Sequence, residues 1–158
     1  MERYNLIVQD ELYIDLLKRL EVAEADRIFC RHGIGHLLDV ARIAYIMVLE
    51  CGADYSKDVV YAAGLLHDIG RLAQYETGVG HHEAGVPIVK DIMGRCGYSQ
   101  EEIAIVCEAV GAHRREQEAS RNLSEFLYKA DKKSRNCFMC QAYDECNWDE
   151  NKKNKGVI

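Results

Sequence analysis

One proline, Pro87, and one tryptophan, Trp148, occur in 158 residues. The chain also lacks the Pro- and Gly-rich punctuation of a many-turned β protein. No stretch alternates apolar and polar residues with period two, and hairpin turn dipeptides are missing, so a β-sandwich or barrel is excluded as the expectation. Long apolar runs are missing too. The longest, Val59 to Leu66 and Ile43 to Leu49, fall far short of the roughly 18–20 residues that span a bilayer. Positive charge is in deficit: 20 Lys and Arg stand against 26 Asp and Glu, a net charge of −6. No global basic surface therefore exists to gather nucleic acid by counterion release, and no nucleic-acid or membrane partner is expected. The first dozen residues carry Glu2, Arg3, Asp10 and Glu11, so there is no uninterrupted apolar core of a signal peptide, and a cytoplasmic location is expected.

What is present is helical periodicity. With 48% hydrophobic and 29% charged residues the composition is that of a globular chain, and its length predicts one domain. Leu12, Leu16, Leu17, Leu20 and Ala23 recur at threes and fours, predicting an amphipathic helix over Asp10 to Arg27. Leu37, Val40, Ala41, Ala44 and Val48 repeat the period until Gly52, a natural stop. Ser56 can cap a third helix running to Gln74. His81 to Cys96 reads as helical, with Pro87 near its first turns, where a missing donor costs little. Ser99 and Glu102 form a capping box ahead of Ile103, Val106, Cys107 and Val110. Leu123, Phe126, Leu127 and Ala130 mark another helix. The fold class is all-α, of roughly six or seven helices. Composition changes after about Arg135: residues 136–158 lack periodicity, carry three of the seven cysteines, and end in a Lys- and Asn-rich stretch expected to be mobile.

Polar residues interrupt these stripes where hydrophobes are due. His67-Asp68 closes the most apolar helix, and burying both costs several kcal/mol unless each finds a partner. A metal ion is one way to satisfy them, since neutral imidazole and carboxylate are both ligands. A solvent-facing pair at a helix end is the plain alternative. Asp131 falls four residues after Leu127, and His113 three after Val110, each at the next inward place on its stripe. His36 lies four before Val40. His32, four before His36, is expected to be an exposed residue at a helix entry, with substrate contact as its other reading.

The order His36, His67-Asp68, His81, His113, Asp131 resembles the HD superfamily of metal-dependent phosphohydrolases, in the variant with extra histidines. The resemblance covers roughly residues 31–135 and rests on His36-Leu37-Leu38-Asp39-Val40, Leu66-His67-Asp68-Ile69-Gly70, His81-His82-Glu83-Ala84-Gly85 and Tyr128-Lys129-Ala130-Asp131-Lys132. It implies a phosphohydrolase domain over 1–135, a helical bundle with ligands converging from different helices. His36, His67, Asp68 and Asp131 would hold one divalent ion, and Asp68 would bridge to a second held by His81 and His113. The family spacing selects His81 over the adjacent His82. Fe or Mn suits the mixed donor set, with Mg a less comfortable third candidate. The implied chemistry is cleavage of a phosphoester or phosphoanhydride of a small nucleotide-like substrate by metal-bound hydroxide. Arg71 and Lys132, beside the ligands, are the candidate catalytic cations, with Arg114 and Arg115 behind them. Relatives with the same donors include di-iron oxygenases, and a non-catalytic metal-stabilised regulatory module is a third reading.

Of the cysteines, Cys30, Cys51, Cys96 and Cys107 lie singly in helical-looking segments and read as packing residues. Cys137, Cys140 and Cys146 cluster. Their first pair has zinc-knuckle spacing, but a closed zinc site needs a fourth ligand. Asp144, Asp149 or a residue from another helix could serve. The other reading is that the three thiols pack with Tyr143 and Trp148 in an apolar tail folded over the domain.

Overall fold

The computed structural model describes residues 2–116 and 121–157. Eight α-helices occur among them: α1 (Tyr4–Ile7), α2 (Glu11–Ala23), α3 (Ile34–Cys51), α4 (Lys57–Leu66), α5 (Arg71–Thr77), α6 (His81–Arg95), α7 (Gln100–Ala112) and α8 (Leu123–Lys133), followed by a 3-10 turn at Cys137–Met139. No strand is present among the described residues. None of their helices is long and apolar enough to cross a membrane.

Four of the eight helices begin where a side chain satisfies free backbone donors. Asp10 accepts from the Tyr13 N–H, Ser56 from Val59, and Asn122 from Glu125. The Ser99 and Glu102 capping box at α7 is complete in both directions. At the far end of α3, Gly52 takes the left-handed conformation, φ 65°, that favours glycine. The middle of the bundle is α4, whose residues Val59, Val60, Ala62, Ala63, Gly64, Leu65 and Leu66 are all buried. It packs against α1, α3, α6, α7 and α8. α3 and α4 come close because small residues meet: a Cβ at Gly64 would stand 2.4 Å from the Ala41 Cα.

The structure corrects two expectations about the helices. The helix expected from Lys57 to Gln74 is two helices. α4 stops at Leu66, tight turns follow (Ile69 N to Leu66 O 3.1 Å, Arg71 N to Asp68 O 2.9 Å), and α5 starts at Arg71. The turn brings Gly70 against α6, where a Cβ would lie 2.1 Å from the His81 carbonyl oxygen and 2.6 Å from the Gly85 nitrogen. The helix expected to reach Arg27 ends at Ala23, and Glu24, at its C-terminal cap, is buried. Pro87 is the seventh residue of α6, in its second turn, near the helix start as expected; the carbonyl deprived of a donor is that of Glu83, an exposed residue that water can serve.

The tail folds back on the bundle without regular helix. Its Lys- and Asn-rich end, expected to be mobile, is anchored by buried Asn154, whose amide donates to the carbonyls of Lys133 and Arg135, each at 2.9 Å.

Candidate metal centre

Six ligand-type side chains from separate parts of the chain meet in one cleft. His36 comes from the first turn of α3, His67 and Asp68 from the break between α4 and α5, His81 from the start of α6, His113 from the end of α7, and Asp131 from α8. They form two groups sharing one member: His36, His67, Asp68 and Asp131, and Asp68, His81 and His113. The break at Gly70 places Asp68 between the groups. Its Oδ2 lies 3.4 Å from His36 Nε2 and 3.0 Å from His67 Nε2. Its Oδ1 lies 3.2 Å from His81 Nε2 and 3.8 Å from His113 Nε2. Asp131 Oδ1 completes the first group, 3.3 Å from His36 Nε2 and 3.8 Å from His67 Nε2.

The four imidazoles are oriented alike. Each Nδ1 faces an oxygen that can accept its proton: the Gly64 carbonyl for His67 (2.8 Å), the Val110 carbonyl for His113 (2.5 Å), the Gln74 amide oxygen for His81 (2.8 Å) and the Ser134 hydroxyl for His36 (3.0 Å). The Ser134 hydroxyl donates its own proton to the Asp131 carbonyl at 2.8 Å, which leaves its oxygen to accept. A neutral imidazole holds one proton, so every Nε2 presents a lone pair to the centre. Two of these, His36 Nε2 and His67 Nε2, are buried side-chain atoms without a hydrogen-bond partner, and His81 Nε2 and His113 Nε2 face each other at 3.1 Å. Facing lone pairs and buried anions call for a cation between them. The donor set, imidazole and carboxylate with fixed outer partners, fits divalent transition metals.

The electrostatics agree. Burial opposes charge on the His67 imidazole, but the adjoining Asp68 and Asp131 carboxylates overcome it and push its pKa up to about 10, so a proton on Nε2 answers the same demand for positive charge and a metal ion must displace it to meet the lone pair. Burial wins at His81, which is held down at about 3, with Arg71 and Arg114 adding to the effect against Asp68. Asp68 and Asp131 stay well below the usual carboxylate range despite burial, because the surrounding imidazoles favour their charged form. The pocket thus draws positive charge to these two carboxylates.

Around this floor the cleft is lined by cations and aromatic rings, among them Arg71, Arg114, Lys132, Tyr128 and Trp148. Arg71 Nε donates to Asp68 Oδ1 at 3.1 Å. Lys132 pairs with Asp131 Oδ2, and its ammonium lies over the rings of Tyr128 and Trp148 at 4.8 and 5.3 Å. Arg115 is not part of the lining. His82 stands aside, nearest to Glu83 at 3.8 Å, while His81 is buried in the centre.

His32 departs from expectation. It is buried, lies in the connection before α3, and faces the cleft. Its Nδ1 meets Glu24 Oε1 at 2.5 Å, its backbone N–H donates to Glu24 Oε2 at 2.8 Å, and the Tyr75 hydroxyl donates to the same carboxylate at 2.7 Å. Burial works to raise the Glu24 pKa, but these donors hold it down at about 2, while burial pushes His32 down. The pair is therefore an anionic carboxylate orienting a neutral imidazole. Gln74, Ser134 and Glu24 are the functional residues that motif reading passed over. Glu24 sits four residues after buried Leu20, so the stripe rule that found Asp131 also points to it.

An all-helical bundle with a shared-carboxylate His and Asp centre defines a class of metal-binding helical domains. The particular family follows from comparison: the family model described as HD domain matches residues 33–142, and the chain belongs to that family. An uncharacterized protein of Clostridium beijerinckii is 43% identical over 154 residues, 98% of this chain and 97% of its own length. Ribonuclease Y 1 of Pediococcus pentosaceus is 31% identical over 110 residues, 70% of this chain but 19% of that protein. Ribonuclease Y of Campylobacter concisus is 27% identical over 122 residues, 77% of this chain and 22% of that protein. The chain thus spans about a fifth of the ribonucleases it matches. The crystal structure of a predicted HD superfamily hydrolase from an uncultured Thermotogales bacterium shares the fold, with a TM-score of 0.65 and 21% identity over 90% of this chain and 79% of the other.

Proposed function

We propose that the chain is a metal-dependent phosphohydrolase that cleaves a phosphoester or phosphoanhydride of a small nucleotide-like substrate. The observation that carries this reading is the convergence of four Nε2 atoms, two of them without a hydrogen-bond partner, on buried Asp68 and half-buried Asp131 beside a cation-lined cleft. His36, His67, Asp68 and Asp131 would hold one divalent ion, and Asp68, His81 and His113 a second, one oxygen of Asp68 serving each. Fe or Mn suits the donors better than Mg. Bound there, such ions supply Lewis acidity, acidifying water and offsetting charge on a phosphoryl group.

The chain's own groups do the rest. Arg71 keeps Asp68 in place through Nε and leaves its outer nitrogens to meet phosphate oxygens. Arg114 supplies a further cation to the same cleft, and Tyr128 and Trp148 offer flat faces for a base. Lys132 holds Asp131 and carries positive charge to the rim. His32, oriented by Glu24, gives or takes a proton at the cleft wall. A cationic, polar lining suits a substrate that carries a phosphate group.

The test is phosphate release from a panel of nucleotides and short ribo-oligonucleotides, with chelator-stripped protein before and after Mn or Fe is restored. The oligonucleotides are included because two relatives are named ribonucleases. Metal-dependent release, lost in Asp68→Asn, supports the proposal. Dioxygen consumption with no phosphate release overturns it.

A further inference from the structure

The fourth thiol that the tail lacks in sequence is present in space. Cys30, in the connection between α2 and α3, lines the same cavity as Cys137, Cys140 and Cys146. All four are free thiols, one buried and three half-buried. Burial pushes the Cys30 thiol up, and the three tail thiols push it further in the same direction, so the four sulfurs share one neighbourhood. Cys137 and Cys140 bracket the 3-10 turn, closed by the Cys140 N–H on the Cys137 carbonyl at 3.0 Å. Such a turn brings thiols three residues apart to one side, the way a Cys-x-x-Cys pair grips one ion.

Three further observations favour a metal over simple packing. The turn's other apolar side chains bury little surface: Phe138 is 50% and Met139, at the cavity's edge, 78% exposed. Arg31, Arg135 and Lys153 line the cavity, placing positive charge where a divalent ion on four thiolates would leave a net charge of about −2. Of the two carboxylates that could have been the fourth ligand, Asp144 is exposed and Asp149 accepts at Oδ1 from the backbone N–H groups of Asn151 and Lys152 at 2.9 and 3.0 Å, and neither lines the cavity. The four cysteines line the cavity, which His36 and Asp39 also border, although no three of their sulfurs come within 4.8 Å of one another.

We propose that Cys30, Cys137, Cys140 and Cys146 form a tetrathiolate zinc site, separate from the His and Asp centre, that clasps the tail to the connection before α3. Four thiolates with no carboxylate or imidazole among them suit zinc in a closed, structural site. Closure draws the four sulfurs inward around the ion. Because Cys30 and Cys146 also border the active cleft, together with Trp148 and Lys152 of the tail, the clasp would fix one wall of that cleft.

Cobalt substitution of the full chain tests this independently of any activity. Chelator-stripped, reduced protein loaded with Co(II) should show an intense near-ultraviolet thiolate-to-cobalt charge-transfer band, which imidazole and carboxylate donors in the cleft do not produce. Cys30→Ser should lower that band, with helical circular dichroism retained, and Cys51→Ser should leave it unchanged. On the unmutated chain, where no variant has to fold, a mercurial titration of thiols should release one zinc ion per chain. The proposal is overturned by the absence of a thiolate band, by a band that a folded Cys30→Ser leaves at full intensity, by mercurial titration that releases no zinc, or by iron and labile sulfide in place of zinc.

Discussion

At the scale of single residues, the centre is organised by where protons sit. Four Nδ1–H groups are tied to oxygens outside the cluster, and this aims four Nε2 lone pairs at Asp68 and Asp131. Ser134 illustrates the dependence: its hydroxyl proton is committed to the Asp131 carbonyl, so its oxygen can only accept from His36. Ser134→Ala should therefore free His36 to rotate or change tautomer and weaken metal affinity about 10- to 100-fold, the usual cost of losing an outer partner. Competition with a chelating dye measures it, and unchanged affinity would contradict the role given to Ser134. Much at this scale was legible in the sequence. Asp131 and His113 announced themselves by interrupting apolar stripes. His32 did not, because its burial depends on Glu24 folding back from the end of α2, a contact between residues on either side of an irregular connection that no periodicity encodes.

At the scale of elements, the centre depends on α4 ending where it does. Seven of the ten residues of α4 are buried, and the close α3–α4 crossing at Gly64 and Ala41 brings His36 and His67 toward the same point. A methyl group at Gly64 would meet backbone rather than a movable side chain, so α3 and α4 would have to separate. Gly64→Ala should cost roughly 3 kcal/mol, the upper part of the overpacking range, read from urea unfolding; a change within 0.5 kcal/mol, the range of an ordinary surface substitution, would show that the crossing is slack. The helical periods were readable because each apolar stripe is local. The break after Leu66 was not, since nothing in His67 to Gly70 other than the glycine disfavours helix. What requires a glycine at this turn is the backbone of α6, which meets Gly70 at His81 and Gly85, residues too far along the chain for any local pattern to announce the contact.

At the scale of the whole molecule, a chain of net charge −6 concentrates cations in one cleft, which is how an acidic protein can still attract phosphate. Elsewhere charge fastens the bundle. Arg3, at the N-terminal cap of α1, pairs with Asp58 of α4 at 3.0 Å and with Glu102 of α7 at 2.7 Å. The Arg3 guanidinium, with smaller help from Ser99 and against burial, holds the Glu102 carboxyl down at about 2, below its ordinary 4.5. A depressed carboxylate stabilises the fold above its unfolded pKa and loses that contribution as pH falls through the folded one. Arg3→Gln should cost about 1–2 kcal/mol at pH 7, discounted because the pair is partly exposed. The difference from the unmutated chain should shrink between pH 5 and pH 2 and not between pH 7 and pH 5, in denaturant melts across that range; a pH-independent difference would contradict the assignment.

The central claim is that Asp68 joins two ligand groups into one metal centre. Manganese prefers nitrogen and oxygen donors to thiolates, so it reports on this cleft and not on the cysteine cavity. The direct measurement is titration of chelator-stripped protein with Mn(II), following the loss of the free aqueous ion's electron paramagnetic resonance signal. The unmutated chain should bind Mn(II) until the cleft is saturated, and folded Asp68→Asn should leave nearly all of it free; equal binding by the two would contradict the claim.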